Sequence, residues 1–246
     1  MSTGAPTRGY KEPHELPRRF YKAATAVPAE GGFAVHLDGR PPRTPGGKPL
    51  VLPTRPLAAM IAAEWEGQGE HIRMAQMPAT RLANTVLDKV GDKHAETAAE
   101  VARYANSDLV CYFAEEPAAL VARQETHWGP VLDWAHANLG LTLQRVGGVI
   151  HRDQSPDQLA RARQMAEALD DFQLAGLAHA TALFGSAVLG FALQRGELTG
   201  ARAFELSRLD EAFQEERWGV DAEAAERTAR LAQEAQMLDG WFAALR

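Results

Sequence analysis

The chain holds a single cysteine, Cys111, in 246 residues. An internal disulfide framework and a thiolate metal cage are therefore both excluded, and a reducing compartment fits. Cys111 sits in the apolar run Leu109–Phe113, which reads as a buried small residue rather than a reactive thiol. Positive charge is not in excess: 26 Lys and Arg face 32 Asp and Glu, a formal net charge of -6. That balance argues against general nucleic-acid binding, which needs a basic surface to displace counterions. Internal repeats and low-complexity segments are missing. So is a secretory signal, because residues 1–20 contain no apolar core. Glu12, Glu15, Pro6, Pro13 and Pro17 also spoil an amphipathic transit helix. Residues 1–17 read as a flexible arm, and the location expected is the bacterial cytoplasm or, for an already processed chain, an organelle.

What is present is ordinary globular material, with 46% hydrophobic and 24% charged residues. The stretch from Asp171 to Arg195 stands out because no charge interrupts it between its ends. It is either a membrane span or a buried helix of a soluble domain. Ala178, Ala182, Ser186 and Gly190 recur at four-residue spacing, a stripe against which another helix could lie close. Gln173, His179, Thr181 and Gln194 break the apolar run, so a buried central helix without membrane insertion is expected.

Around it the pattern predicts two parts. Residues 18–90 read as an α+β domain: a strand begins at Phe20-Tyr21-Lys22, and Phe33, Val35 and Leu37 share one face of another. Asp38-Gly39 signals a tight hairpin turn, and Leu50–Leu52 a short strand. Thr54 caps a helix that starts at Arg55, an extended segment covers Ile72–Met77, and a helix covers Ala79–Val90. Residues 91–246 read as a larger all-α domain. Its helices are expected over about 93–106, 117–139 with a kink at Pro130, 155–169, 171–195, 199–218 and 221–238. Leu141, Leu143 and Val149 mark one extended interruption. The fold class is therefore α+β, a small β-rich N-terminal domain followed by a helical C-terminal domain around a buried central helix.

Few residues point to chemistry. None of the eight histidines forms the one-turn pair with an acid that zinc hydrolases use. His179 reads as a hydrogen-bonded core histidine. Gly46-Gly47-Lys48 lacks the rest of a phosphate loop, and no Ser elbow occurs. Glu64 and Glu66 would splay apart on a helix. His127 or His151 with nearby carboxylates leaves a small-molecule enzyme, with a His/carboxylate pocket in the helical domain, as the alternative class.

The most informative stretch runs from Leu206 to Gly219. Leu206, Leu209, Phe213 and Trp218 fit an inward stripe on a helix, with Asp210, Glu211, Gln214 and Arg217 outward. Those outward groups are either a solvated acidic face or a binding surface.

Phe20-Tyr21-Lys22, Leu37-Asp38-Gly39-Arg40, Thr44-Pro45, Glu64-Trp65 with Gln68, Met77-Pro78, Leu82-Ala83-Asn84-Thr85 and Asp88 follow one another in a recognisable order. Trp128-Gly129-Pro130, Trp134 and the Leu209–Gly219 stretch continue it. Over residues 18 to 240 this order and spacing resemble the assembly chaperones that act on the alpha subunit of the F-type ATP synthase catalytic head. The resemblance implies a protein that is not an enzyme and needs no cofactor or metal. It implies a monomer that binds unassembled alpha subunit, shields its beta-facing surface from aggregation and releases it to beta. Eukaryotic relatives would act in the mitochondrial matrix. The resemblance implies that acidic positions of the C-terminal helical region matter, which carries over here to Glu211 and Glu216 with Asp210 as a neighbour; together with Gln214 and Trp218 of the same stretch these are the partner-binding residues expected.

Overall fold

A computed structural model describes residues 15–148, 150–219 and 221–246. Most of the expected N-terminal arm, His14, and Val149 of the expected extended segment lie outside them. The chain divides into two compact units, one formed by residues up to Lys89 with Ala244–Arg246, the other by Val90–Ala243.

The first unit is built on a three-stranded antiparallel sheet in the order β1 (Ala24–Ala29), β2 (Gly32–Leu37), β3 (Val51–Leu52). Val35 and Leu37 of β2 are buried beneath α1 (Arg55–Glu66), whose Leu57, Ala58 and Ile61 complete the layer. The tight turn falls at Asp38 and Gly39, both with positive φ (49° and 79°). The expected strand at Phe20–Lys22 is not formed, and the reason is local. Arg19 donates to the Tyr21 and Lys22 carbonyls, while the Asp38 carboxylate takes the Lys22 and Ala23 N–H groups at 2.9 and 3.0 Å. With those groups spent on side chains, the ladder starts only at Ala24.

Thr54 caps α1, accepting from the Leu57 N–H at 3.2 Å and donating to the Ala244 carbonyl at 2.6 Å. Glu64 turns inward from α1 and accepts from the Ala79 and Thr80 N–H groups at 2.8 and 2.7 Å, capping α2 (Pro78–Thr85) from a neighbouring helix. Burial raises its pKa against those hydrogen bonds. Before α2, where an extended segment was expected, Met74–Gln76 form a 3-10 turn. After it, Val86–Val90 wind as a π turn.

The second unit is helical: α3 (His94–Asn106), α4 (Ala118–Leu139), α5 (Pro156–Glu167), α6 (Asp171–Phe184), α7 (Ala187–Arg195), α8 (Gly200–Ser207), α9 (Leu209–Trp218) and α10 (Ala222–Leu245). A short parallel pair, β4 (Tyr112–Phe113) with β5 (Val146–Gly147), closes the loop before and after α4. Helix α4 passes through Pro130 uninterrupted and buries Trp128, whose indole N–H donates to the Leu206 carbonyl at 2.9 Å.

The uncharged run is not one helix. It folds as two, α6 and α7, because Gly185 takes a left-handed conformation (φ 64°) and Ser186 starts a new helix by accepting from the Leu189 N–H. Asp108, fully buried, reinforces that start by accepting from the Val188 N–H at 3.0 Å. The small residues therefore do not form one continuous stripe. Close approach occurs at Gly190 against Thr181, and at Gly176 against Trp241 and Phe242. Among the described residues no helix is long and apolar enough to cross a membrane. The expected helix over 199–218 is likewise two, α8 and α9, parted at Arg208 (φ -117°, ψ 21°). Asp221 caps α10, and that helix runs on to Leu245, past its expected end near 238.

Candidate partner-binding site

Helix α9 lies on α4 through Leu209 and Phe213, one turn apart and both buried. Polar contacts fix it further. Gln124 of α4, fully buried, donates to the Asp210 carboxylate at 2.8 Å and accepts from the Ala114 N–H at 2.7 Å. Burial pushes the Asp210 pKa up, and the Gln124 hydrogen bond opposes that shift. Arg123 holds Glu216 in a two-pronged pair at 2.7 and 2.8 Å, which keeps the Glu216 carboxyl below its ordinary range. Arg123 and Arg217 both place their guanidinium groups over the Phe213 ring, 5.1 and 4.1 Å from its centroid. Arg208 pairs with Glu215 at 2.6 Å.

The five expected site residues thus fall into two groups. Asp210 and Glu216 point toward α4 and are engaged there. Glu211, Gln214 and Trp218 are exposed at spacings of three and four residues, which puts them on one outward face. Trp218 corrects the expected inward stripe, being 77% exposed. It follows Phe213 by five residues, roughly 140° around a helix, so it cannot share the face that Leu209 and Phe213 bury. The partners on α4, Arg123 and Gln124, were not legible in the sequence. Only the packing of α4 on α9 selects them from the many exposed Arg and Gln residues.

The histidines are used structurally. His94 meets Asp171 at 2.7 Å, His179 meets Glu234 at 3.1 Å, and His151 bridges Tyr112 and Asp153 at 2.8 and 3.1 Å. His127 accepts from the Arg202 guanidinium through Nδ1 at 3.0 Å, beside a shallow cleft of about 180 Å³ shared with Trp134 and Glu197. Among the described residues no three His, Cys, Asp or Glu side chains gather to hold a metal ion. Burial drives the Cys111 thiol pKa far up, and it stays protonated.

A helix held rigidly on its inner face, with an indole, an amide and a carboxylate on its outer one, has the make-up of a surface that binds another protein. The crystal structure of Atp12 from Paracoccus denitrificans is similar with a TM-score of 0.87 and 40% identity, covering 94% of this chain and 99% of that one. A variant of the P. denitrificans protein in which one aspartate is replaced by lysine gives 0.86 and 40%, over 94% and 98%. The mitochondrial protein atp12 of Schizosaccharomyces pombe is 26% identical over 221 residues, 85% of this chain and 76% of that one. Residues 18–136 match the family model of the ATP12 chaperone protein.

The chain is thus a chaperone by class. It belongs to the ATP12 family, and the enzyme alternative is set aside with that membership.

Proposed function

We propose that this chain captures the unassembled alpha subunit of the F-type ATP synthase head, covers its beta-facing surface and gives it up when beta arrives. The observation that carries this reading is the outward row Glu211, Gln214 and Trp218 on a helix of a family chaperone. The indole offers a large rigid contact, and the carboxylate offers orientation against basic groups on alpha. Asp210 and Glu216 serve the same surface indirectly, by fixing α9 to α4. An orphan subunit of an obligate complex exposes a wide apolar patch that aggregates unless covered. A cover that must later leave works best with few strong anchors and a polar surround, as this row provides. The chain acts as a monomer in the bacterial cytoplasm.

The test is a dilution of denatured alpha subunit into buffer with and without this protein, followed by light scattering, with beta added afterwards. Suppressed scattering followed by release on addition of beta is expected. Aggregation at the same rate with and without the chain contradicts the reading.

A further inference from the structure

The first unit contains a cleft of about 760 Å³ between the loop joining β2 to β3 and helices α1 and α2. Its size lies in the range of built ligand sites, about 300–1,000 Å³. Its frame is tied with care. Asp88 accepts from the Thr44 hydroxyl at 2.6 Å and the Gly46 N–H at 2.8 Å, and Lys48 donates to the Leu87 carbonyl at 2.6 Å. A side chain at position 46 would run into the Asp88 carboxylate, the nearest oxygen lying 2.5 Å from where its Cβ would be. These contacts explain Thr44 and Asp88, as the α2 cap explains Glu64.

They leave other wall residues with nothing to do in the fold. Asn84 is half-exposed in the cleft, and its carboxamide makes no hydrogen bond among the described residues. Lys89 lies on the same wall with no ion pair among them. The Trp65 indole N–H is buried without a partner, a cost that an incoming acceptor would relieve once the ring turns toward it. Apolar wall is supplied by Pro45, Leu50 and Met74. Asp88 is the one acid of the lining against three cations, Arg43, Arg81 and Lys89, so the cleft carries an excess of positive charge.

We infer that this cleft binds an extended segment of the client polypeptide that carries an acidic side chain beside apolar ones. A free carboxamide matches the paired N–H and C=O of a peptide unit. The excess positive charge selects the acid, and the apolar wall takes its neighbours. The cleft is thus a second contact with the client, separate from the row on α9. This inference rests on the alpha-subunit reading.

The experiment uses the full-length chain with Asn84→Ala, Lys89→Glu and the pair together. Binding of overlapping synthetic peptides tiled along the alpha subunit is followed by fluorescence anisotropy, and suppression of alpha aggregation by light scattering. Melting curves control for folding. Expected are one or a few peptides, acidic and apolar, that bind the parent chain. Each single substitution should weaken them about tenfold, the size of one hydrogen bond. Aggregation suppression should weaken in step while the melting curves stay unchanged. If no tiled peptide binds the parent chain, or the double variant binds peptides and suppresses aggregation as the parent does, this inference falls and the chaperone reading stands. Failure of the parent chain itself to suppress alpha aggregation overturns both.

Discussion

Arg123 of α4 clasps Glu216 of α9 through two parallel contacts of 2.7 and 2.8 Å, and the same guanidinium covers the Phe213 ring. Glu211, five residues earlier on the same helix, is exposed, and its carboxylate makes no hydrogen bond or ion pair among the described residues. Two acids that look alike in the sequence therefore have different work. Glu216→Lys sets two cations against each other and should loosen α9, seen as a lower melting temperature together with weaker capture of alpha. Glu211→Lys should weaken capture with the melting temperature unchanged. Equal melting losses in the two variants would contradict the division.

The two tryptophans near the C-terminus make a sharper contrast. Trp218 is 77% exposed, whereas Trp241 is fully buried, stacks on Phe172 at 6.1 Å and donates to the Phe172 carbonyl at 3.1 Å. Trp241→Ala should cost about 3–5 kcal/mol in denaturant unfolding. Trp218→Ala should leave stability within about 0.5 kcal/mol, as a surface change does. Its loss should appear only in binding.

Gly176 faces Trp241 so closely that an added Cβ would lie 2.9 Å from the indole ring. Gly176→Ala should therefore destabilise by about 1–3 kcal/mol through overpacking. Alanine normally strengthens a helix relative to glycine by about 1 kcal/mol, so a raised unfolding midpoint would count against this contact.

Asp108 is fully buried, and burial pushes its pKa up to about 6 despite hydrogen bonds from Ser186, Val188 and Val110. In the unfolded chain it titrates near ~3.9. The folded state therefore holds the proton more tightly. This group's contribution to stability is full below about 4, is lost as pH rises through about 6 and is flat above. Asp108→Asn removes that titration and also turns an amide N–H₂ toward backbone donors. The variant should be less stable by about 1–3 kcal/mol, with the gap to the parent chain narrowing between pH 4 and 6 as pH rises. Urea unfolding of both proteins across that range checks it. A constant gap would mean that Asp108 does not titrate there.

These contrasts show where the sequence was readable. The Asp38-Gly39 turn, the Thr54 cap and the α+β-then-helical order follow from local rules, and each is present. The breaks at Gly185 and Arg208 were missed because hydrophobic periodicity runs straight across them. The first depends on Asp108, about eighty residues away in the chain, meeting the start of α7. Phe20–Lys22 missed its strand for a similar reason: Arg19 and Asp38 consume its backbone groups from outside the segment. Composition could nominate the acids of α9 but not sort them. Which one is clasped and which is exposed depends on Arg123 and Gln124, and only the packed structure brings those two to α9.

The central claim is tested most directly by size-exclusion chromatography of this chain mixed with freshly refolded alpha subunit, run beside the Glu211→Lys, Trp218→Ala double variant. The account predicts a one-to-one complex for the parent chain, and for the variant two separate species or aggregated alpha, with both chaperone forms melting alike. A complex of equal yield with the variant would show that the outward row of α9 is not where alpha is held.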